Sequence, residues 1–246
     1  MSLPLSGKIA LITGAGSGIG RAACRLLNRE GATIIVADRN VEAARQVANS
    51  LNGDNQFIEL DVSSKQSIQN GIQSIVSKFN APPSIVVNAA GIIKDNFILK
   101  LEEDQFDDVI RVNLKGTFLM MQNCANAMVE KNIVNGTIIN LGSIASKIGN
   151  IGQANYTSSK AGVEAMTKTA SREFGKFGIR VNCVLPGFIN TPMTESVPEK
   201  VKDYMTMQCP LRRFGNPEEV AEVIAFLASD KSSYVNGASI EVTGGI

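Results

Sequence analysis

The sequence predicts one α/β domain, a doubly wound parallel sheet with helices on both faces, on the strength of three observations. Short apolar runs alternate with helix-length segments along all 246 residues. A glycine-rich turn, Gly14-Ala15-Gly16-Ser17-Gly18-Ile19-Gly20, joins the first apolar run to the first helical segment. Polar residues Thr13, Asp38, Asp61, Asn88 and Ser143 sit at or just past the ends of the runs, the edge of such a sheet where ligands bind. Length alone would allow one or two domains, but no linker separates two halves.

The elements follow in order. Lys8-Ile9-Ala10-Leu11-Ile12-Thr13 is an apolar run of strand length, and the pattern from Arg21 to Arg29 is helical. Thr33-Ile34-Ile35-Val36-Ala37 forms the next strand, within 32–38, and ends on Asp38. Further strands are expected at 56–60, 84–87, 136–141, 179–185 and 238–242, with helices filling the gaps. Gly31, Gly136 and Gly178 stand where helices give way to strands. Asp107 to Met121 is helical apart from the polar Asn113, and Asn216-Pro217-Glu218-Glu219 reads as an N-cap with proline at the first helical position. Residues 187–214 have the composition of a lid, with Pro192, Pro198 and Pro210 beside Met193, Met205 and Met207. Those methionines serve equally well as ordinary core filler.

Bulk properties exclude several classes. A net charge of +1 without any block of five like charges gives no electrostatic case for nucleic acid or an acidic membrane. The longest apolar stretches are strand-sized, too short to span a bilayer. Cys24, Cys124, Cys183 and Cys209 are scattered, and the chain has no histidine to join them as metal ligands, so no metal is expected. They read as buried thiols in a reducing compartment. The seven residues before the first strand contain neither a secretory signal nor an Arg- and Ser-rich transit sequence.

The absence of histidine narrows the chemistry, because the usual proton carrier at neutral pH is missing. Tyr156 and Lys160, at i and i+4, share one helix face. A nearby ammonium stabilises phenolate, which is expected to draw the phenol down from about 10 toward working pH. Ser143 can offer a hydroxyl to the same substrate oxygen. Alone, the pair could be a surface tyrosine lying along a lysine stem. The glycine turn supplies a cofactor site, since glycines let backbone approach a pyrophosphate seated on the following helix's positive end. Asp38, about twenty residues beyond, is placed to accept hydrogen bonds from ribose hydroxyls.

At this point the sequence resembles the short-chain dehydrogenase/reductase family over essentially its whole length. The motifs are Thr13-Gly14-x-x-x-Gly18-x-Gly20, Asp61-Val62, Asn88-Ala89-Ala90-Gly91, Asn113, Ser143, Tyr156-x-x-x-Lys160 and Pro186-Gly187. Within the family, the stretches 111–118, 152–156 and 184–189 resemble the 3-oxoacyl-(acyl carrier protein) reductases. Lys147-Ile148-Gly149-Asn150 and Glu241-Val242-Thr243-Gly244-Gly245 resemble their NAD-dependent eukaryotic relatives, the type 8 17β-hydroxysteroid dehydrogenases.

The resemblance implies a Rossmann-like sheet in the order 3-2-1-4-5-6-7 and a single NAD-binding domain over 1–246. It implies a catalytic set of Asn113, Ser143, Tyr156 and Lys160, in which Asn113 bends its helix and its main chain holds a water linking the lysine to solvent. The cofactor would meet Thr13, Gly14, Ser17, Gly18, Ile19, Gly20, Asp38 and Arg39, then Asp61 and Val62 at the adenine. Asn88, Ala89, Ala90 and Gly91 would lie beneath it, Lys160 would grip the nicotinamide ribose beside Tyr156, and Pro186, Ile189 and Thr191 would hold the nicotinamide end. Substrate would meet Ser143, Gln153, Tyr156, Gly187 and Met193. Simpler roles exist for Asp61 (a helix cap), Asn88 to Gly91 (a tight turn) and Asn113 (a solvated helix residue).

The activity implied is NAD(H)-dependent interconversion of 3-hydroxyacyl and 3-oxoacyl thioesters in fatty-acid metabolism, with 17β-hydroxysteroids as a second substrate class. The resemblance also implies a mitochondrial matrix location, with the cytoplasm as alternative, and a homo-tetramer or a hetero-tetramer with a carbonyl-reductase-like subunit. The competing expectation is a scaffold whose catalysis lies in that partner. Two departures matter. The carrier-docking arginines of bacterial relatives align with Val134 and Phe177, and a basic residue of the NADP-dependent glycine loop aligns with Ser17. The first favours coenzyme A thioesters or a docking partner, and the second agrees with Asp38 in favouring NAD.

Overall fold

The computed structural model describes residues 3–195 and 197–246. The strands are β1 (Ile9–Thr13), β2 (Thr33–Asp38), β3 (Gln56–Glu59), β4 (Ile85–Asn88), β5 (Gly136–Leu141), β6 (Ile179–Pro186) and β7 (Ser239–Val242). They form one sheet in the order β3-β2-β1-β4-β5-β6-β7, with every neighbouring pair parallel. The expected order and all expected strands are therefore present, with ends shifted by no more than a residue.

Continuous apolar runs form these strands because both faces of the sheet are covered. Successive side chains point to opposite faces. Ala10, Ile12, Ile34, Val36, Ile85, Val87 and Ile139 enter one core, and Leu11, Ile35, Ala37, Val86 and Ile138 enter the other. The first core is closed by helices α1 (Gly18–Arg29), α2 (Val41–Asn49) and α10 (Pro217–Ala228), and the second by α3 (Lys65–Phe79), α5 (Thr117–Glu130) and α7 (Ala154–Phe174). The second face also carries α4 (Glu103–Val109), while α6 (Ala145–Ile148), α8 (Pro192–Glu195) and α9 (Glu199–Gln208) stand above the strand ends.

Three local differences from the sequence reading have physical causes. The first helix begins at Gly18, not Arg21, because Gly20 presses on the Gly14 carbonyl so closely that an added Cβ would lie 2.3 Å from its oxygen. The helix around Asn113 runs from Glu103 to Glu130 but passes through a π-helical stretch, Ile110–Gly116. Gly31 and Gly178 do carry left-handed backbone (φ 99° and 74°), whereas Gly136 serves close packing, since a Cβ there would meet Met128 Sδ at 2.8 Å.

The lid segment contains α8 and α9, and a parallel bridge between Ile189 and Gly215 ties its two ends together. It is anchored by α10, whose start is the expected cap: Asn216 and Glu219 form a capping box behind Pro217, with Glu219 Oε2 accepting the Asn216 N–H at 2.8 Å. Helix α10 packs Ala221 onto Ala22 and Leu26 of α1, so the cap steadies the helix that carries the glycine turn. Asn216→Ala should cost about 1 kcal/mol, read as a Tm lowered by roughly 2–4 °C in thermal unfolding.

Candidate active site

A cavity of about 1030 Å³ opens at the carboxyl ends of the strands, running from Asp38 and Arg39 to the lid helices. Its position follows from the fold: all strands point the same way, so their polar end residues gather along one edge. Ser17, Gly18, Ile19, Asp61, Val62, Ala89, Ala90, Gly91, Gln153, Pro186, Gly187, Ile189, Thr191 and Met193 line it, together with Gly14, Gly20, Ser143, Tyr156 and Lys160. Thr13, Asn88 and Asn113 do not. They lie beneath the wall and shape it.

The glycine turn is built for close approach. A Cβ on Gly14 would stand 2.7 Å from Ala90 Cα, and Thr13 Oγ1 accepts the Ala90 N–H at 3.3 Å, fastening the two cavity-facing loops together. Ser17 precedes α1 in extended backbone, gives it no side-chain cap, and no acidic residue occupies the first turn. Helix α1 thus presents uncapped N–H groups and its positive dipole end to the cavity, as an anionic diphosphate requires. Asp38 accepts hydrogen bonds from the Gly16 N–H (2.9 Å) and the Asn40 N–H (2.8 Å), which aim its carboxylate beside the turn, and Arg39 next to it is exposed. These residues fit a nicotinamide dinucleotide.

Asp61 accepts from the Ser63 N–H and hydroxyl at 2.8 and 2.7 Å, a local turn ahead of α3, while Val62 is buried against Gly116. Asn88 donates to Asn140 Oδ1 at 2.8 Å, and Asn140 donates to Thr167 Oγ1 at 2.9 Å, tying β4 and β5 to α7 below the site. The Asn113 side chain brackets Ile92, accepting its N–H at 2.9 Å and donating to its carbonyl at 3.0 Å, and also donates to Ser159 Oγ at 3.2 Å. Its own carbonyl accepts the Thr117 hydroxyl at 2.7 Å. It is a fully buried residue rather than a solvated one.

Helix α7 brings Tyr156 and Lys160 under the cavity, opposite Ser143 on the loop after β5. Lys160 is 5% exposed, and its ammonium donates to the Leu141 carbonyl at 2.7 Å. It sits 5.7 Å from the Tyr156 ring centre. Gly91 leaves room for it, since a Cβ there would be 3.6 Å from Nζ. Burial pushes Lys160 down to about 8.

Burial is also the largest influence on Tyr156, and it pushes the phenol above its ordinary value. The nearby Ser143 hydroxyl opposes this, and the Asp95 carboxylate reinforces it. The expected lowering by lysine is therefore corrected: the ammonium is committed to Leu141, and desolvation disfavours a lone phenolate. Charging both groups together relieves that penalty, because phenolate and ammonium then compensate each other.

Several cavity residues were not expected as site residues from the sequence, although Ile148 lies in the 147–150 stretch noted above. Asp95, Ile148, Ile151, Val201 and Tyr204 all line the cavity. Ile148 and Ile151 are 56% and 85% exposed, and Tyr204 60%, so two apolar walls face each other across the substrate end. The lid methionines divide: Met193 and Met205 line the cavity, and Met207 does not. Among the described residues no group of three His, Cys, Asp or Glu could hold a metal, and no helix is long and apolar enough to cross a membrane.

Tyr156→Phe should lower kcat by roughly 10²–10⁴-fold with dinucleotide binding nearly unchanged by titration calorimetry. In alcohol oxidation the rate of the unmodified protein should rise with pH as Tyr156 gives up its proton and a phenolate stands beside the Lys160 ammonium. With Lys160→Met the compensating cation is gone, so the rise should move to higher pH in the same profile.

Comparison with known proteins agrees with this geometry. The profile of the family described as Enoyl-(Acyl carrier protein) reductase matches residues 14–246. The chain is 48% identical over 252 residues to a (3R)-3-hydroxyacyl-CoA dehydrogenase of Homo sapiens, covering 98% of this chain and 96% of the relative. It is 45% identical over 245 residues to a 3-oxoacyl-(acyl-carrier-protein) reductase of Thermotoga maritima, covering 98% of both. A solved structure titled ribose-5-phosphate isomerase from Brucella melitensis superposes with a TM-score of 0.93 at 34% identity, covering 100% of this chain and 94% of that one. A shared sheet does not choose a reaction, but with these relatives matched end to end, the chain belongs to the short-chain dehydrogenase/reductase family.

Proposed function

We propose that this protein is an NAD(H)-dependent oxidoreductase that interconverts 3-hydroxyacyl and 3-oxoacyl thioesters. The observation that carries the reading is one cavity with Asp38 at its dinucleotide end and Ser143, Tyr156 and Lys160 at its other end. The names of the human and Thermotoga relatives, a 3-hydroxyacyl-CoA dehydrogenase and a 3-oxoacyl reductase, support the substrate class.

When bound, a nicotinamide supplies the hydride chemistry. The chain's own residues position the substrate and move the proton. Ser143 and Tyr156 hold the substrate oxygen between two hydroxyls. In reduction Tyr156 delivers its proton to that oxygen as alkoxide character develops there, and in oxidation the phenolate receives the alcohol proton. Lys160 keeps a cation beside the phenol throughout, held in place by Leu141. The apolar side chains of Ile148, Ile151, Val201 and Tyr204 give an acyl chain a surface to lie against.

Val134 and Phe177 are 77% and 42% exposed, an apolar surface where a carrier-docking cation would stand, which favours coenzyme A thioesters as the free substrate. The same apolar walls suit a 17β-hydroxysteroid as a second class. The buried free thiols agree with a reducing compartment such as the mitochondrial matrix or the cytosol. A purely scaffolding subunit has no need of the intact Ser143, Tyr156 and Lys160.

The reading is tested by NADH oxidation with acetoacetyl-CoA, where turnover by the isolated chain is expected and none would sink it. NADH should be preferred over NADPH by about thirtyfold or more, because a 2′-phosphate would meet the Asp38 carboxylate at a cost on the order of 2 kcal/mol. Asp38→Ser should narrow the ratio of kcat/KM values by leaving Arg39 to receive that phosphate. We further propose assembly as a tetramer through α5, α7 and β7, with Phe118 at 43% exposure on α5. Light scattering should return about four times 26.2 kDa, and a stable monomer at micromolar concentration would contradict it.

A further inference from the structure

We infer that Asp95 is a positioning residue, fixing the Gln153 amide so that one of its N–H groups faces the thioester carbonyl of a 3-oxoacyl substrate. The inference rests on the reading of function given above. Asp95 and Gln153 both line the cavity at its substrate end. Gln153 Nε2 donates to Asp95 Oδ2 at 2.8 Å, and Gln153 Oε1 accepts from Asn150 Nδ2 at 2.9 Å. A side-chain amide can turn over and exchange donor for acceptor, and neither Asn150 nor Gln153 prevents this alone. A carboxylate only accepts. Asp95 is the one member of the trio with a fixed polarity, so it sets the direction of both amides.

The backbone that carries Asp95 is held on both sides. Asn155 Nδ2 donates to the Lys94 carbonyl at 2.8 Å, and the Asn96 N–H donates to the Gly152 carbonyl at 2.8 Å. Asp95 therefore sits in a loop pinned at the residue before it and the residue after it, against the turn that carries Gln153 and leads into α7. It lines the same cavity as Tyr156.

With Nε2 directed at Asp95, one of its two protons is used and the second is left for the cavity. A 3-oxoacyl thioester has two carbonyl oxygens in a 1,3 relationship. Ser143 and Tyr156 take the oxygen at the reacting carbon, and a donor at Gln153 answers the other. Were the amide reversed, its oxygen would oppose the thioester oxygen, acceptor against acceptor.

A double-mutant cycle on reduction of acetoacetyl-CoA by the full chain tests this, with thermal unfolding and NADH titration as controls for folding. Asp95→Asn, which keeps size but admits both amide directions, should lower kcat/KM roughly three- to tenfold. In a Gln153→Ala background the same change should have less than about a twofold effect, because Asp95 acts through Gln153. An unchanged kcat/KM for Asp95→Asn, or an equal loss in both backgrounds, overturns the inference alone. Absence of acetoacetyl-CoA reduction by the unmodified chain overturns the functional reading, and this inference falls with it.

Discussion

A sheet covered on both faces has almost nowhere to put a polar side chain except at the ends of its strands. That constraint organises this molecule. The strand interiors are filled mainly with Ile, Val, Leu and Ala shared between two cores, with Thr137, Arg180 and Asn182 as exceptions bonded to the segments beside them, so most carboxylates, hydroxyls and amides of the strands collect along one edge. Because every strand is parallel, the edge is common to all of them, and a single cavity can draw on β1 through β6 without any long-range rearrangement. The Asp38 end and the Tyr156 end of the cavity thus follow from one packing rule.

Within that edge the costliest group is Lys160. An ammonium this deeply buried with a single carbonyl partner is under-satisfied, and its lowered affinity for its proton expresses that penalty. The protein tolerates it because the surrounding wall is rigid: Leu141 ends β5, and Gly91 is kept open by Asn113 and its brace on Ile92. A site holding an incompletely compensated cation favours whatever brings an anion or an acceptor to it. The Tyr156 phenol meets that demand only in its ionised form, which is the form the cation favours.

The sequence made the strands, the glycine turn and the Tyr156–Lys160 pair legible, because each depends on local order: a run of apolar residues, a turn that excludes side chains, a spacing of one helical turn. It was less informative wherever partners come from distant segments. Asp95 and Ile151 belong to loops with no periodicity, and only the folding of the 92–96 loop onto the 150–155 turn makes them neighbours. The early start of α1 was hidden because glycine usually signals the end of regular structure, not its beginning. The direction of the Tyr156 shift was misread for a related reason. Proximity of charge can be inferred from spacing, but desolvation depends on everything else packed around the ring.

The π-helical stretch at Ile110–Gly116 has a further consequence. An α-helix advances about 100° per residue, so a widened turn acts as a phase slip between the segments on either side of it. Helix α4 can then present its face to α7, while α5 downstream presents a different face to α3 and the sheet. One continuous rod serves two neighbours that a regular helix could not satisfy together. Asn113 stands at the slip itself, so the residue that steadies the wall beneath the cavity occupies the one place on the rod where the angular register is free to be set.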